Sequence, residues 1–271
     1  MAGDDGLNEL LLTARQAADA AAAIHRRDSD SIDLDSATEK GRADYVSRTD
    51  LDAQKAALGL ILSRHPDHAI LAEESEGSVA AQLADWDGRP LWIVDPLDGT
   101  ANFLHGHPSY CASVAVAVEG RLVAGAIASA PTDERWWAAE GLGAWRSGRR
   151  MSVSQPKRLI QSLVATGFPF KDLPHLPDYL GSLERVLTAA SGVRRAGAAA
   201  LDLAFLAQGS FDAFWENLLM PWDFAAGAVL IQEAGGVIRR PDGSPLDLTP
   251  GPVCAANSPA LLDELLAAVH G

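Results

Sequence analysis

Trp92-Ile93-Val94-Asp95-Pro96-Leu97-Asp98-Gly99-Thr100-Ala101-Asn102-Phe103 is the stretch around which the chain is organised. The apolar run Leu91 to Val94 reads as a buried strand that ends on two carboxylates three residues apart. Pro96 has no N–H to give to a ladder and fixes its own φ, so regular strand stops there. Gly99 permits a tight turn and a close backbone approach, and Thr100 offers an oxygen to cap a following helix. Asp95 and Asp98 are therefore expected on a turn at a strand's carboxyl end, beside N–H groups able to hold an anion. Two carboxylates next to an anion site require a cation. Taken alone, the same residues would also make an ordinary surface turn.

Working outward, 271 residues suffice for one large domain or two smaller ones sharing a core, and 48% of them are apolar, which allows that core to be sizeable. The net charge of −14 argues against a nucleic-acid partner or an anionic membrane surface. An anionic substrate would need bound metal to invert the local field. Cys111 and Cys254 lie far apart, outside any Cys-x-x-Cys or Cys/His cluster, and read as small buried hydrophobes in a reducing compartment. No basic segment followed by an apolar core opens the chain, and Glu9, Arg15 and Asp19 interrupt the Ala/Leu-rich stretch 7–24. An amphipathic helix and a cytoplasmic protein are expected.

Leu10, Leu11, Ala14, Ala17, Ala18 and Ala21 recur at helical spacing, giving a long first helix that ends near Arg26-Arg27. Residues 28–39 carry five acidic side chains without a period and read as a solvated loop. Thr49 or Asp50 is expected to cap a second helix from Leu51 to Arg64, broken by His65-Pro66-Asp67-His68 as a surface turn. Ala69 to Ala72 is a short buried strand ending in Glu73-Glu74-Ser75, followed by a polar loop over 77–90. Cys111 to Val118 and Leu122 to Ala130 make a hairpin about Glu119-Gly120-Arg121, with further strands at Arg135 to Ala139 and Gly143 to Trp145. Trp136, Trp137 and Trp145 read as packing on that sheet.

Beyond Met151 the character changes to strands alternating with helices. Strands are expected at Ile160 to Thr166, Phe211 to Glu216, Val237 to Arg239 and Val253 to Ala255. Helices are expected at Tyr179 to Ala190, Ala198 to Gln208, from Pro221 through Glu233, and Pro259 to Val269. Residues 1–151 thus form an α+β half with most of the candidate ligands, and 152–271 an α/β half, the two making one catalytic unit.

Carboxylates stand at element ends in four places: Asp50, Glu73, the Asp95/Asp98 pair, and Asp223 near a helix start. A hard divalent cation wants oxygen ligands, and Mg²⁺ takes one or two carboxylates together with waters and substrate phosphate. Asp223 alone would simply satisfy helix N–H groups. Three motifs taken together are more specific. Glu73-Glu74-Ser75, the Asp95-Pro96-Leu97-Asp98-Gly99-Thr100 run, and Trp222-Asp223-Phe224-Ala225-Ala226-Gly227 resemble, in that order, the inositol monophosphatase family, over nearly the whole chain from about Leu7.

The resemblance implies an α+β fold, a layered αβαβα sandwich, and a Mg²⁺-dependent, Li⁺-inhibited phosphomonoesterase. It implies that Glu73, Asp95 and the carbonyl of Leu97 hold a first Mg²⁺, that Asp95, Asp98 and Asp223 hold a second, and that Glu73 touches a third ion through water. Thr100, backed by Asp50, would orient the attacking water, and the N–H groups of Gly99 and Thr100 would receive phosphate oxygens. Lys40 would be a loop lysine near the metals. Metal-activated water attacks phosphorus in line, so no covalent nucleophile is required. Glu216 would contact a substrate hydroxyl, Ala198 replaces a Ser or Thr found in many relatives, and Arg195 would face substrate or a subunit interface. The implied substrate is inositol 1-phosphate and the implied assembly a homodimer. Fructose 1,6-bisphosphate or another small sugar phosphate is the nearest alternative, with histidinol phosphate and a nucleotide 3′-phosphate behind it. From a different class stands a non-catalytic metal-binding regulatory protein.

Overall fold

The computed structural model describes residues 4–32, 37–42, 44–84, 86–170 and 173–271. The first half runs α1 (Asp4–Asp28), β1 (Thr38–Gly41), β2 (Asp44–Val46), α2 (Arg48–Arg64), β3 (Ala69–Ala72), α3 (Val79–Leu83), β4 (Leu91–Asp98) and α4 (Thr100–Leu104). A meander follows: β5 (Cys111–Val118), β6 (Arg121–Ser129), β7 (Glu134–Ala139), β8 (Gly143–Arg146) and β9 (Arg149–Arg150). The second half runs β10 (Leu163–Thr166), α5 (Leu176–Ala189), β11 (Gly192–Arg194), α6 (Ala199–Ala207), β12 (Ala213–Leu219), α7 (Pro221–Glu233), β13 (Val237–Arg239), β14 (Gly251–Ala256) and α8 (Pro259–His270).

β3 to β9 form one seven-stranded sheet in sequence order, antiparallel except for the β3–β4 pair. The five-stranded sheet has the order β11-β10-β12-β14-β13, and β1 pairs with β2 alone. Helices α1 and α2 cover one face of the large sheet, and α6 and α7 fill the space between the sheets. Helices α5 and α8 close the far side of the small sheet. The result is the expected αβαβα sandwich, with three apolar cores between its five layers.

Residue alternation explains why β4 reads as an unbroken apolar run. Leu91 and Ile93 face the middle helices, Trp92 and Val94 face α1 and α2, and all eight residues of the strand are buried. On α1 the alanines Ala14, Ala17, Ala18, Ala21 and Ala22 are at most 1% exposed, so the helix lies close on β5 and β6. On the other face, a Cβ at Gly125 would come within 2.8 Å of Ala226 Cα, so only glycine lets α7 seat on β6.

Several local expectations change. The cap of α2 is Ser47, and the helix begins at Arg48 rather than Leu51. Asp50 sits at the third helical position and closes a capping box. The 77–90 loop contains α3, and part of the acidic 28–39 segment forms β1, while residues 33–36 lie outside the described residues. His65 and His68 stack with ring centroids 4.6 Å apart, and Trp92 Nε1 donates to His68 Nδ1 at 3.1 Å, so this turn packs on the core. Trp136 is fully buried on the sheet as expected. No helix among the described residues is long and apolar enough to cross a membrane.

Candidate active site

A cavity of about 380 Å³ opens where the carboxyl end of β4 meets the start of α6, the end of β12 and the start of α7. Glu73, Asp95, Leu97, Asp98, Gly99, Thr100, Arg195, Ala198, Glu216 and Asp223 all line it. Side chains 150 residues apart in sequence therefore share one space, because the two sheets present their strand ends to a common seam.

The Asp95–Asp98 turn owes its shape to a break in pairing. Asp95 stands opposite Ser113 and Asp98 opposite Cys111, so Pro96 and Leu97 together face Ala112 alone. The Leu97 N–H turns back to Asp95 Oδ1 at 3.0 Å. Gly99, at φ 88°, caps α4, and a Cβ there would meet Ser109 O at 2.7 Å. The Thr100 hydroxyl lies 2.9 Å from Asp50 Oδ1 and 3.0 Å from Leu97 O, and its single hydrogen serves one or the other. Asp50 is fully buried behind Thr100, and its second oxygen accepts both the Ser47 N–H at 2.8 Å and the Ser47 hydroxyl at 2.5 Å.

Asp98 Oδ2 accepts the Ala200 N–H at 2.8 Å, tying the turn to the first turn of α6. Asp223 Oδ2 accepts the Met220 N–H at 2.7 Å, and Ser113 Oγ donates to Trp222 O at 3.2 Å, tying β5 to α7. Lys40 lies in the strand β1 rather than in a loop, with Nζ 2.6 Å from Glu74 Oε1 and 3.9 Å from Glu73 Oε1. Glu216 lies directly over Gly167, where any Cβ would collide with its carboxyl group. The Arg195 guanidinium stacks over Phe168 and Phe170, at 5.3 and 4.9 Å from their ring centres.

Crowded carboxylates make this an electrostatically loaded site. Burial raises the Asp95 carboxyl well above its usual range, and the negative charges of Glu73, Asp98 and Asp223 push it further. Burial carries Asp98 up to about 7, against the N–H groups of Ala200 and Ala199 that favour its charged form. Asp50 is pushed up to about 6 by burial, opposed by the hydrogen bonds from Ser47 and Thr100. Glu216 is raised well above the carboxylate range, first by burial and then by Asp223 and Asp202, with Arg195 acting the other way. Strongly perturbed acids gathered in one cleft are the physical mark of a reactive or ion-binding centre.

The donors are all oxygen, the set a hard divalent cation prefers. Among the described residues no three His, Cys, Asp or Glu side chains form a ready cage for an ion. Asp98 and Asp223 each direct an oxygen at a backbone N–H instead. An ion that keeps several waters and completes its shell from substrate phosphate fits this arrangement better than one needing a full protein cage.

Three residues given no role in the sequence analysis contribute. Asn102 donates its amide to Ser109 O at 2.7 Å and Ala196 O at 2.9 Å, stapling α4 to the approach of α6. Its place inside the Gly99–Phe103 run was the available signal. Cys111, fully buried, points its thiol at Asp98 Oδ2 at 3.8 Å. Asp202 lines the cavity at 1% exposure, and nothing in the surrounding sequence marks it.

The sequence profile of the inositol monophosphatase family matches residues 7–271. Over 257 residues the chain is 40% identical to the Pseudomonas aeruginosa protein named Nus factor SuhB, covering 93% of each chain. Over 218 residues it is 40% identical to the inositol-1-monophosphatase of Rhizobium meliloti, covering 80% of each. The solved structure of extragenic suppressor protein suhB from Bartonella henselae matches with a TM-score of 0.85 and 38% identity, over 94% of this chain and 95% of that one. The chain belongs to the inositol monophosphatase family.

Proposed function

We propose that this phosphatase is a Mg²⁺-dependent phosphomonoesterase whose preferred substrate is inositol 1-phosphate. The observation that carries the reading is the meeting of Glu73, Asp95, Asp98 and Asp223 in one cavity with Thr100 and the Gly99 turn. Glu73, Asp95 and the Leu97 carbonyl would hold one ion, and Asp95, Asp98 and Asp223 a second. Such ions, when bound, acidify water and neutralise the charge of a phosphate ester.

The rest of the chemistry belongs to the chain's own groups. With its hydrogen directed at Asp50 Oδ1 or Leu97 O, the Thr100 oxygen is left as an acceptor that aims a water at phosphorus. Asp50, raised to about 6 and held by Ser47, is placed to take a proton through Thr100. The N–H groups of Gly99 and Thr100 receive phosphate oxygens. Glu216 accepts a hydroxyl of the alcohol, a hydrogen bond that selects a polyol over a plain alkyl phosphate. Since phosphoryl transfer needs mainly positioning and charge neutralisation, the buried Cys111 has no part as nucleophile.

Identity to a protein named Nus factor SuhB bears on a second reading, a regulatory protein that keeps the fold without turnover. Phosphate release from inositol 1-phosphate, fructose 1,6-bisphosphate and histidinol phosphate, with Mg²⁺ and with chelator, separates these. Mg²⁺-dependent release that is fastest on inositol 1-phosphate is expected. Faster turnover of fructose 1,6-bisphosphate would overturn the substrate, and no turnover of any ester would overturn the enzyme.

A further inference from the structure

Within the Asp95–Asp98 turn, the break in pairing with β5 leaves the backbone groups of Pro96 and Leu97 to find partners other than strand neighbours. Pro96 has no N–H. The Leu97 N–H goes to Asp95 Oδ1, and Thr100 lies against Leu97 O. The remaining group, Pro96 O, meets His25 Nε2 at 2.8 Å. His25 sits in the last turn of α1, 71 residues earlier in the chain, and is fully buried.

A carbonyl can only accept, so Nε2 carries the hydrogen. The other ring nitrogen, Nδ1, is buried with no hydrogen-bond partner among the described residues, which fits a neutral ring donating through Nε2 alone. Burial, opposed by the bond to Pro96, lowers its pKa to about 4, in keeping with that state. The ring is wedged edge-on to Tyr110, with centroids 5.9 Å apart, and tilted against Phe103 at 6.4 Å. Both aromatic residues flank the motif, one on α4 and one just before β5. The imidazole thus combines a fixed position with a single donor aimed into the bulge.

We infer that His25 is a positioning residue for the Asp95–Asp98 turn, holding through Pro96 O the two carboxylates and the Leu97 carbonyl in the arrangement a divalent ion requires. The consequence for ion binding rests on the Mg²⁺ reading above; the consequence for the turn does not. His25→Phe keeps a ring and removes the donor, and His25→Gln keeps a donor of similar reach. Both are compared with wild type, as whole chains, by calorimetric Mg²⁺ titration and by hydrogen exchange of the metal-free proteins.

His25→Phe is expected to weaken Mg²⁺ binding about 10–100-fold, the usual cost of losing a group that orients a ligand. It should speed exchange over residues 91–104 and leave the five-stranded sheet unchanged. His25→Gln should recover most of both. Wild-type exchange over 91–104 together with wild-type Mg²⁺ affinity in His25→Phe would overturn the inference. Should His25→Phe not fold, His25→Met replaces it as the donor-free variant, and equal exchange over 91–104 in the Met and Gln proteins would overturn the inference. Exchange that changes as expected in a protein whose wild type binds no Mg²⁺ would support the role in the turn and refute the Mg²⁺ reading.

Discussion

Asp95, Asp98 and Asp223 each accept a backbone N–H, and Asp50 is gripped by Ser47 and Thr100. Across the same cavity, the carboxyl groups of Asp202 and Glu216 accept no hydrogen bond from another described residue. The first group is built into strand ends and helix starts, where backbone N–H groups are in surplus. The second is shaped by packing: Glu216 against Gly167, with Arg195 nearby on a pair of phenylalanines. Groups that must hold charge in a fixed arrangement are preorganised before substrate arrives. Glu216, in its proposed role, would find a donor only when the alcohol brings its hydroxyls, since a buried carboxyl group without a partner is costly until one comes.

Substitutions should separate the two ends. Asp95→Asn keeps the shape and an acceptor for Leu97 N–H but removes a charge shared by both proposed ions. A fall in kcat of at least ~10³, several kcal/mol of transition-state stabilisation, is expected in phosphate-release assays at saturating Mg²⁺. The same variant should raise the Tm of the metal-free protein, because it relieves repulsion from Glu73, Asp98 and Asp223. Near-normal turnover would remove Asp95 from the mechanism.

Thr100→Ala leaves the charges in place and deletes the hydroxyl between Asp50 and Leu97 O. A loss of about 10²-fold in kcat with little change in KM is expected, within the range for proton-transfer partners. A change confined to KM would mean that Thr100 only binds. At the other end, Glu216→Gln should raise KM for inositol 1-phosphate about 10-fold, roughly the value of one good hydrogen bond. KM for a phosphate ester without ring hydroxyls should hardly move. Equal effects on both esters would show that Glu216 supports the site and does not read the alcohol.

A smaller effect concerns pH. The folded-state pKa of Asp50, about 6, lies above its ordinary value of 3.8, so the folded chain binds more protons than the unfolded chain between those limits. Its contribution to stability therefore falls as pH rises from about 4 to about 6. His25, lowered to about 4, acts in the opposite direction over a similar range, so the wild-type profile alone mixes the two. The Tm difference between metal-free wild type and Asp50→Asn isolates the first, and it should shift by a few degrees in favour of the variant as pH rises. A difference independent of pH would place Asp50 at an ordinary carboxylate pKa.

What the sequence made legible follows the same division. Pro96 marks the place where the regular ladder of β4 breaks, although the strand bulges there and pairs again at Asp98 instead of ending, and Pro221-Trp222-Asp223 marks the start of α7. The cap of α2 was misplaced because Ser47, Thr49 and Asp50 are all cap-competent within four residues. Only the tertiary partner Thr100 explains why Asp50 turns inward. β1 carries four exposed polar or glycine residues, which leave no period to read. His25 and Asn102 act on carbonyls 71 and 94 residues away, and such pairings exist only once the layers have stacked.

The account depends on acidic groups from both halves of the chain sharing divalent ions, and anomalous scattering from crystals soaked in Mn²⁺ and inorganic phosphate measures this directly. Peaks are expected in the cavity between Asp95, Asp98 and Asp223 and between Asp95 and Glu73, at carboxylate-ligand distances. A cavity without anomalous density at saturating Mn²⁺, in crystals where the four side chains are ordered, would contradict it.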